Sequence, residues 1–163
     1  MTDKMREGEI ALPFDPADRA EARVAFIGRI RSPWSRADCP KNILQARARG
    51  LPARIVLDPA YAQALTGLEP GRAIVVLYWM DRGGRGLLVQ NPHHVAGQRG
   101  TFSIRSPNRP NPICMSTVLI TSIDHKSGVI GIDATDAFDG TPVVDIKPWM
   151  PRVDVPPGWH PEE

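Results

Sequence analysis

The densest set of groups able to do chemistry lies in residues 105–116, Arg-Ser-Pro-Asn-Arg-Pro-Asn-Pro-Ile-Cys-Met-Ser. Three prolines fix φ there and reduce the entropy lost when the loop orders. A loop this stiff presents Arg105, Asn108, Arg109 and Asn111 in set directions. Two guanidinium groups with no acid between them suit a carboxylate or phosphate, which the arginine fork binds through two parallel bonds. The competing reading is a rigid turn whose arginines pair with Asp139 or Asp145. Residues 136–149, Asp-Ala-Phe-Asp-Gly-Thr-Pro-Val-Val-Asp-Ile-Lys-Pro-Trp, form an acidic counterpart. Asp139-Gly140 is a tight-turn signal. Backbone groups exposed in such a turn can read the edges of an adenine, and the carboxylate can accept from a ribose or amino group. An aspartate capping its own turn is the alternative. Lys147 is either a surface charge or a phosphate contact.

Other chemistries are absent from the pattern. The sequence has no GxSxG elbow, no GxxxxGK[ST], no HExxH and no strand-GxGxxG-helix. Gly83-Gly84-Arg85-Gly86 has turn spacing, and His93-His94 lacks further ligands at metal spacing, so a loop, packing or substrate-contact role is left to that pair. Cys39 and Cys114 make neither a disulfide framework nor a zinc site, and no metal is expected. Activated-nucleophile catalysis is unsupported, whereas chemistry led by a bound cofactor stays open.

The elements that must hold these segments follow from composition and pattern. The chain has 163 residues, 42% of them hydrophobic and 23% charged, which fits one ordinary domain with trailing arms. Twenty basic and 18 acidic residues give a net charge of +2, so any RNA contact must come from a local patch. The run Arg29, Arg31, Arg36, Lys41, Arg47 and Arg49 is one candidate, with an ordinary solvated face as its alternative. Proline is abundant, 17 residues, and it belongs in loops and at strand edges. The charged amino terminus and the lack of a long apolar run argue against a secretory signal or a membrane helix and favour the cytoplasm.

Residues 1–22 read as an arm, mobile or docked on a partner subunit. Strands are expected at residues 24–31, 53–57, 73–80, 87–90, 101–104, 116–123, 129–133 and 143–146. Residues 38–50 read as a turn and a basic stretch with Arg47 and Arg49 exposed. Asp58-Pro59 starts a short helix that ends near Gly67. The tail from Pro148 reads as extended. The class is mainly β, and a small closed or partly open barrel with one or two short helices and proline-rich loops removes the exposed edges. The domain is placed at 23–151, with a proline-rich tail at 152–163.

Taken together, IGRIRSPW, RSPNRPNPICMS and DGTPVVDIKPWMP resemble the TsaA-like (YaeB, TrmO) family of S-adenosylmethionine-binding proteins, over roughly Val24 to Pro151. The resemblance implies a compact, non-Rossmann β-barrel methyltransferase that binds its donor near a homodimer interface. It also implies methylation of N6 of threonylcarbamoyladenosine at position 37 of tRNA. Carried over motif by motif, the donor site is Arg105, Met115 and the unchanged Asp139, Gly140, Thr141 and Pro142. A Pro-Arg-Gln motif corresponds to Pro40, Lys41 and Asn42, and a His-Gln pair to Met80 and Asp81. Cys114 stands where the family has glycine, and the extra carboxy-terminal domain of longer members is absent. Arg109, Asn111 and Lys147 are assigned to substrate. Arg105 holds an anionic group, the DGTP turn holds the nucleoside, and Trp79 and Trp149 are candidate faces for the sulfonium. Such transfer depends on alignment more than on a strong base, and no catalytic base is assigned: Asp81, Asp139 and water are the options. The alternatives are a methyltransferase for a small molecule and a donor-binding module without turnover.

Overall fold

β-Branched side chains crowd the central strands of this chain, and they build its core. The computed structural model describes residues 5–92 and 96–160. The His93-His94 pair lies outside the described residues. Nine strands appear in chain order: β1 Ile10–Ala11, β2 Gly28–Arg31, β3 Ala53–Leu57, β4 Ala73–Trp79, β5 Leu87–Gln90, β6 Arg99–Gly100, β7 Ile113–Asp124, β8 Val129–Ile132 and β9 Pro142–Pro148. The helices are α1 Ile43–Arg49 and α2 Pro151–Asp154. None of the described helices is long and apolar enough to cross a membrane.

The chain divides into two compact units. One joins Phe26–Leu77 with Met115–Glu163. Its strands belong to a closed barrel in the order β2-β3-β8-β7-β4-β9, which leaves no free edge. Ile30, Ile55 and Ile130 stand in register across β2, β3 and β8, and they are sealed from solvent along with Ile74, Ile120, Ile132, Val76, Val118 and Val143. Gly28 is required where β2 meets β3: a Cβ there would run into the backbone of Val56 and Leu57. The barrel bears out the expectation of a mainly β fold with few short helices.

The other unit joins the segment through Ala25 with Tyr78–Cys114 and holds the small sheet β1-β5-β6. Ile10 pairs with Val89, and Val89 with Gly100. Arg6 donates to the Asn91 carbonyl at 3.0 Å, and Gln98 donates to the Gly8 carbonyl at 2.6 Å. The described part of the expected arm is thus fastened to its own chain.

Four local readings need correction. Residues 43–49 form a helix, not a basic stretch: Asn42 caps its start and Gly50, at φ 62°, ends it. Only Ala46 is buried on that helix, and at seven residues it is too short for a clear apolar period to announce it. Thr101–Ser103 is a 3-10 turn preceded by β6, not a strand. The tail makes one helical turn at Pro151–Asp154, where the Asp154 carboxylate accepts from the Met150 amide at 2.6 Å. The first barrel strand starts at Gly28, later than Val24. Asp58 does cap the element that follows it, but Pro59–Leu65 is a 3-10 helix.

Candidate functional site

Within the unit of residues 78–114, the proline-rich loop is held from several directions. The Met80 amide donates to the Pro112 carbonyl at 2.8 Å and the Gly83 amide to the Met80 carbonyl at 2.9 Å. Asn108 accepts from the Gly84 amide at 2.9 Å, and Arg85 donates through Nε to the Pro110 carbonyl at 2.7 Å. Gln90, buried on β5, donates through Nε2 to both the Thr101 hydroxyl at 2.9 Å and the Asn108 carbonyl at 2.8 Å. The prolines narrow the conformations open to the loop, and these bonds choose among them.

Arg105 opens this loop, exposed to solvent. Arg109 donates to the carbonyls of Ile104 at 2.6 Å and Ser106 at 3.4 Å. Asp139 and Asp145, the acids proposed as its partners, take Arg31 and Lys147 instead. Asn111 offers its side-chain oxygen to Arg85 at 3.5 Å. Met80 is half-buried and Asp81 exposed at the turn after β4. Trp79 already carries the Arg85 guanidinium over its ring, 5.8 Å from the centroid, which weakens its case as a sulfonium face. Gln90 and Arg85 were missed by sequence reasoning. A single amide ending an apolar strand gives no sign that it faces inward, and its partners lie 11 and 18 residues further on.

Within the barrel unit, the Asp139-Gly140 turn is anchored to β2 and the residues after it. Gly140 sits at φ 81°, in the left-handed region that glycine enters freely. Its amide donates to the Ile30 carbonyl at 2.9 Å, and its own carbonyl accepts from Arg29 at 2.8 Å. The Asp139 carboxylate accepts from the Ser32 amide at 3.1 Å and pairs with Arg31 at 3.2 Å. Asp139 therefore caps a neighbouring strand end rather than its own turn. Thr141 closes the turn by donating its hydroxyl to the Phe138 carbonyl at 2.8 Å. Beside it lies an open hollow of about 420 Å³, lined by Arg31, Ser32, Pro33, Leu51, Pro52, Ala53, Arg54 and Asp139. Four of these residues are apolar and four are polar or charged.

The remaining candidates in this unit have local partners. Pro40 is buried beside Cys39, whose thiol donates to the Asp136 carbonyl at 3.2 Å. Burial, then the nearby Asp136 carboxylate, pushes that thiol up to about 11. The Ser35 hydroxyl and amide hold the Asp38 carboxyl below its ordinary value. Asn42 accepts from the Gln45 amide at 2.9 Å, and the Lys41 amide donates to the Gln45 side chain at 3.1 Å. The departure from Pro-Arg-Gln thus has a local account, because asparagine caps a helix well. Met115 is exposed on β7, Pro142 begins β9, and Lys147 pairs with Asp145 at 2.6 Å. In the basic run, Arg29 and Arg31 serve the DGTP turn. Arg47 pairs with Asp133 at 2.8 Å, and Arg49 donates to the Asp38 carbonyl at 2.6 Å.

The sequence-derived set therefore forms two groups. Met80, Asp81, Arg105, Arg109 and Asn111 belong to the unit of residues 78–114. Pro40, Lys41, Asn42, Met115, Asp139, Gly140, Thr141, Pro142 and Lys147 belong to the barrel unit.

A small closed barrel with an anchored Asp-Gly turn, in a chain whose other unit holds a proline-stiffened arginine loop, defines a non-Rossmann β-barrel protein. Residues 29–155 match the family described as the tRNA-methyltransferase O N-terminal domain, and the chain belongs to that family. It is 38% identical over 128 residues to a probable S-adenosyl-L-methionine-binding protein of Archaeoglobus fulgidus, covering 78% of this chain and 34% of the relative. It is 34% identical over 146 residues to the probable S-adenosyl-L-methionine-binding protein VirR of Rhizobium radiobacter, covering 89% of this chain and 79% of that one. A tRNA (adenine(37)-N6)-methyltransferase of Eikenella corrodens is 42% identical over 69 residues, 40% of this chain and 39% of the relative. The crystal structure of TrmO from Pseudomonas aeruginosa superposes with a TM-score of 0.65 at 27% identity, over 87% of this chain and 62% of that one. The chain thus spans about a third of the Archaeoglobus relative and three fifths of the TrmO chain.

Proposed function

We propose that this protein is an S-adenosylmethionine-dependent methyltransferase that modifies N6 of threonylcarbamoyladenosine at position 37 of tRNA. The observation that carries the reading is the family match across residues 29–155, which includes both RSPNRPNP and DGTP intact. The names of the relatives point the same way for the donor. The Eikenella relative does so for the acceptor, over a shorter stretch.

The residues present fit such a donor. Pro33, Leu51, Pro52 and Ala53 give the hollow beside Asp139 an apolar wall for a base, and its volume of about 420 Å³ suits a small ligand. When bound, the donor supplies an activated methyl group on a positively charged sulfur. The protein's part is then orientation rather than strong acid or base catalysis. In the barrel unit the anchored DGTP turn supplies fixed backbone groups suited to a nucleoside; Arg105, in the other unit, is a cation suited to a carboxylate. Methylation would form the carbon–nitrogen bond at N6 as the methyl–sulfur bond breaks, the bonding pair staying on sulfur, which leaves as a neutral thioether, and the N6 proton would pass to solvent or a nearby carboxylate. Asp139 is a poor recipient, since its Oδ1 is already engaged by Ser32 and Arg31. In this reading the protein works in the cytoplasm as a homodimer, with Met115 and Leu119, both exposed on β7, supplying apolar surface to the second copy.

The departures at Lys41, Asn42, Met80 and Asp81 favour one second reading, in which the acceptor is a different molecule. One experiment separates the two. Purified protein is incubated with donor and with tRNA that carries threonylcarbamoyladenosine, and the nucleosides are analysed by mass spectrometry. Gain of one methyl group on that nucleoside, abolished in Arg105→Ala, is expected. Donor binding by calorimetry without any methylated nucleoside refutes the tRNA reading, and no donor binding at millimolar concentration refutes both.

A further inference from the structure

Residues 82–123 contain no aspartate or glutamate, yet they carry Arg82, Arg85, Arg99, Arg105 and Arg109. This is one of two basic stretches in the chain, the other being residues 22–57, which carry eight basic residues and one acid, Asp38. In the middle of residues 82–123 stands Phe102, 80% exposed, the most exposed large apolar side chain among the described residues. Its backbone is not loose. Thr101 beside it is buried and donates its hydroxyl to the Leu87 carbonyl at 2.7 Å while accepting from Gln90 at 2.9 Å. Ser103 on the other side donates to the Gly100 carbonyl at 2.8 Å. The Arg109 guanidinium lies over the ring, 5.9 Å from its centroid, and is itself fixed by the Ile104 carbonyl at 2.6 Å.

An aromatic ring held in water by a bonded turn has a face to offer, and the Arg109 guanidinium beside it favours an anionic partner. Single-stranded nucleic acids meet both conditions, since bases stack on aromatic rings while arginines take the phosphates. We propose that Phe102 is a stacking surface for an unpaired nucleobase of the RNA substrate. The proposal rests on the tRNA reading above and adds to it the residue that receives a base beside the modified position.

The test compares wild-type protein with Phe102→Ala, Phe102→Leu and Phe102→Trp. The probes are full-length tRNA and an anticodon stem-loop, and donor affinity is measured in parallel by calorimetry. Phe102→Ala and Phe102→Leu should weaken RNA binding and raise KM for tRNA by about 5- to 100-fold. Donor affinity and melting temperature should stay unchanged. Phe102→Trp should restore RNA binding to within about threefold, which a merely structural apolar role would not require. The slope of affinity against salt should be the same in Phe102→Ala as in wild type and smaller in Arg99→Ala, because stacking releases no counterions. If wild type methylates tRNA and Phe102→Ala does so with unchanged KM, the stacking role is overturned and the function stands. If wild type neither binds nor methylates tRNA, the function and the stacking role fall together.

Discussion

Replacing Gln90 tests whether the proline-rich loop depends on bonds from outside it. The side chain is 6% exposed and makes two hydrogen bonds through one nitrogen, at 2.9 Å to Thr101 and 2.8 Å to the Asn108 carbonyl. Gln90→Leu keeps most of the volume and removes both. Thr101 retains its bond to the Leu87 carbonyl, so its hydroxyl is not orphaned. The Asn108 carbonyl loses its donor. Two bonds at about 0.5–1.5 kcal/mol each give a loss of about 2 kcal/mol, or roughly 4–8 °C in melting temperature for a chain of this size. Hydrogen exchange at the Asn108 amide should quicken, and donor affinity should fall if Arg105 depends on the loop's stiffness.

Gln90→Glu sharpens the test. A carboxylate at that position faces a carbonyl oxygen, so both groups accept and neither donates. Burial raises the folded-state pKa of the new acid above its unfolded value. Its neutral form can still donate, so stability persists at acid pH and is lost as pH rises through the folded value. Thermal melts of the three proteins across the acid-to-neutral range provide the assay. Gln90→Glu should lie between wild type and Gln90→Leu at low pH, where its neutral acid still donates, and fall below Gln90→Leu at neutral pH. Equal melting temperatures for wild type and Gln90→Leu would refute the idea that this amide anchors the loop.

Two further perturbations address the barrel unit. Gly140→Ala meets no atom within 4 Å but must adopt φ 81°, so it should cost about 1–2 kcal/mol from backbone strain and weaken donor binding. Gly50→Ala, at φ 62° and equally open, is the control expected to lower stability alone, with calorimetry and melting as the measurements. Cys39, its thiol pushed up to about 11, should alkylate roughly 100-fold more slowly than an ordinary cysteine at pH 8. A raised folded value means that its contribution to stability is complete below about pH 9 and is lost as pH climbs toward 11. Rapid labelling of Cys39 at pH 8 would contradict this.

The barrel was legible because its strands carry their own signal. ARIVL and AIVVLYW are β-branched or aromatic runs of strand length, and their buried residues form the core. Asp58-Pro59 was legible because a cap acts locally, and Asp58 does accept from the Ala60 amide at 3.0 Å. Helix α1 was not, since its seven residues are too few to set a clear period and its cap, Asn42, lies in a polar stretch. The stiffness of the loop at residues 105–112 could be read from its prolines, but its partners could not. Asp139 bonds to a residue 107 positions away, and nothing in a short motif names Ser32. Lys147 lies two residues from Asp145 and takes it locally, so the acid is not left for a distant arginine.

The arginines separate by what already holds them, and this changes where RNA recognition must come from. Arg29 and Arg31 anchor the DGTP turn, Arg47 bonds to Asp133 and the Thr117 carbonyl, and Arg49 bonds to the Asp38 carbonyl. Within the run from Arg29 to Arg49, Arg31 and Arg47 are each paired with a carboxylate, whereas Arg29 and Arg49 bond to carbonyls. Arg85 and Arg109, in the unit that holds the proline-rich loop, likewise bond to carbonyls. A guanidinium bonded to a neutral carbonyl still attracts an anion, whereas one paired with a carboxylate is largely cancelled. The charge that the proposed tRNA reading needs is therefore not confined to one segment, because Arg29, Arg49, Arg85 and Arg109 all bond to neutral carbonyls.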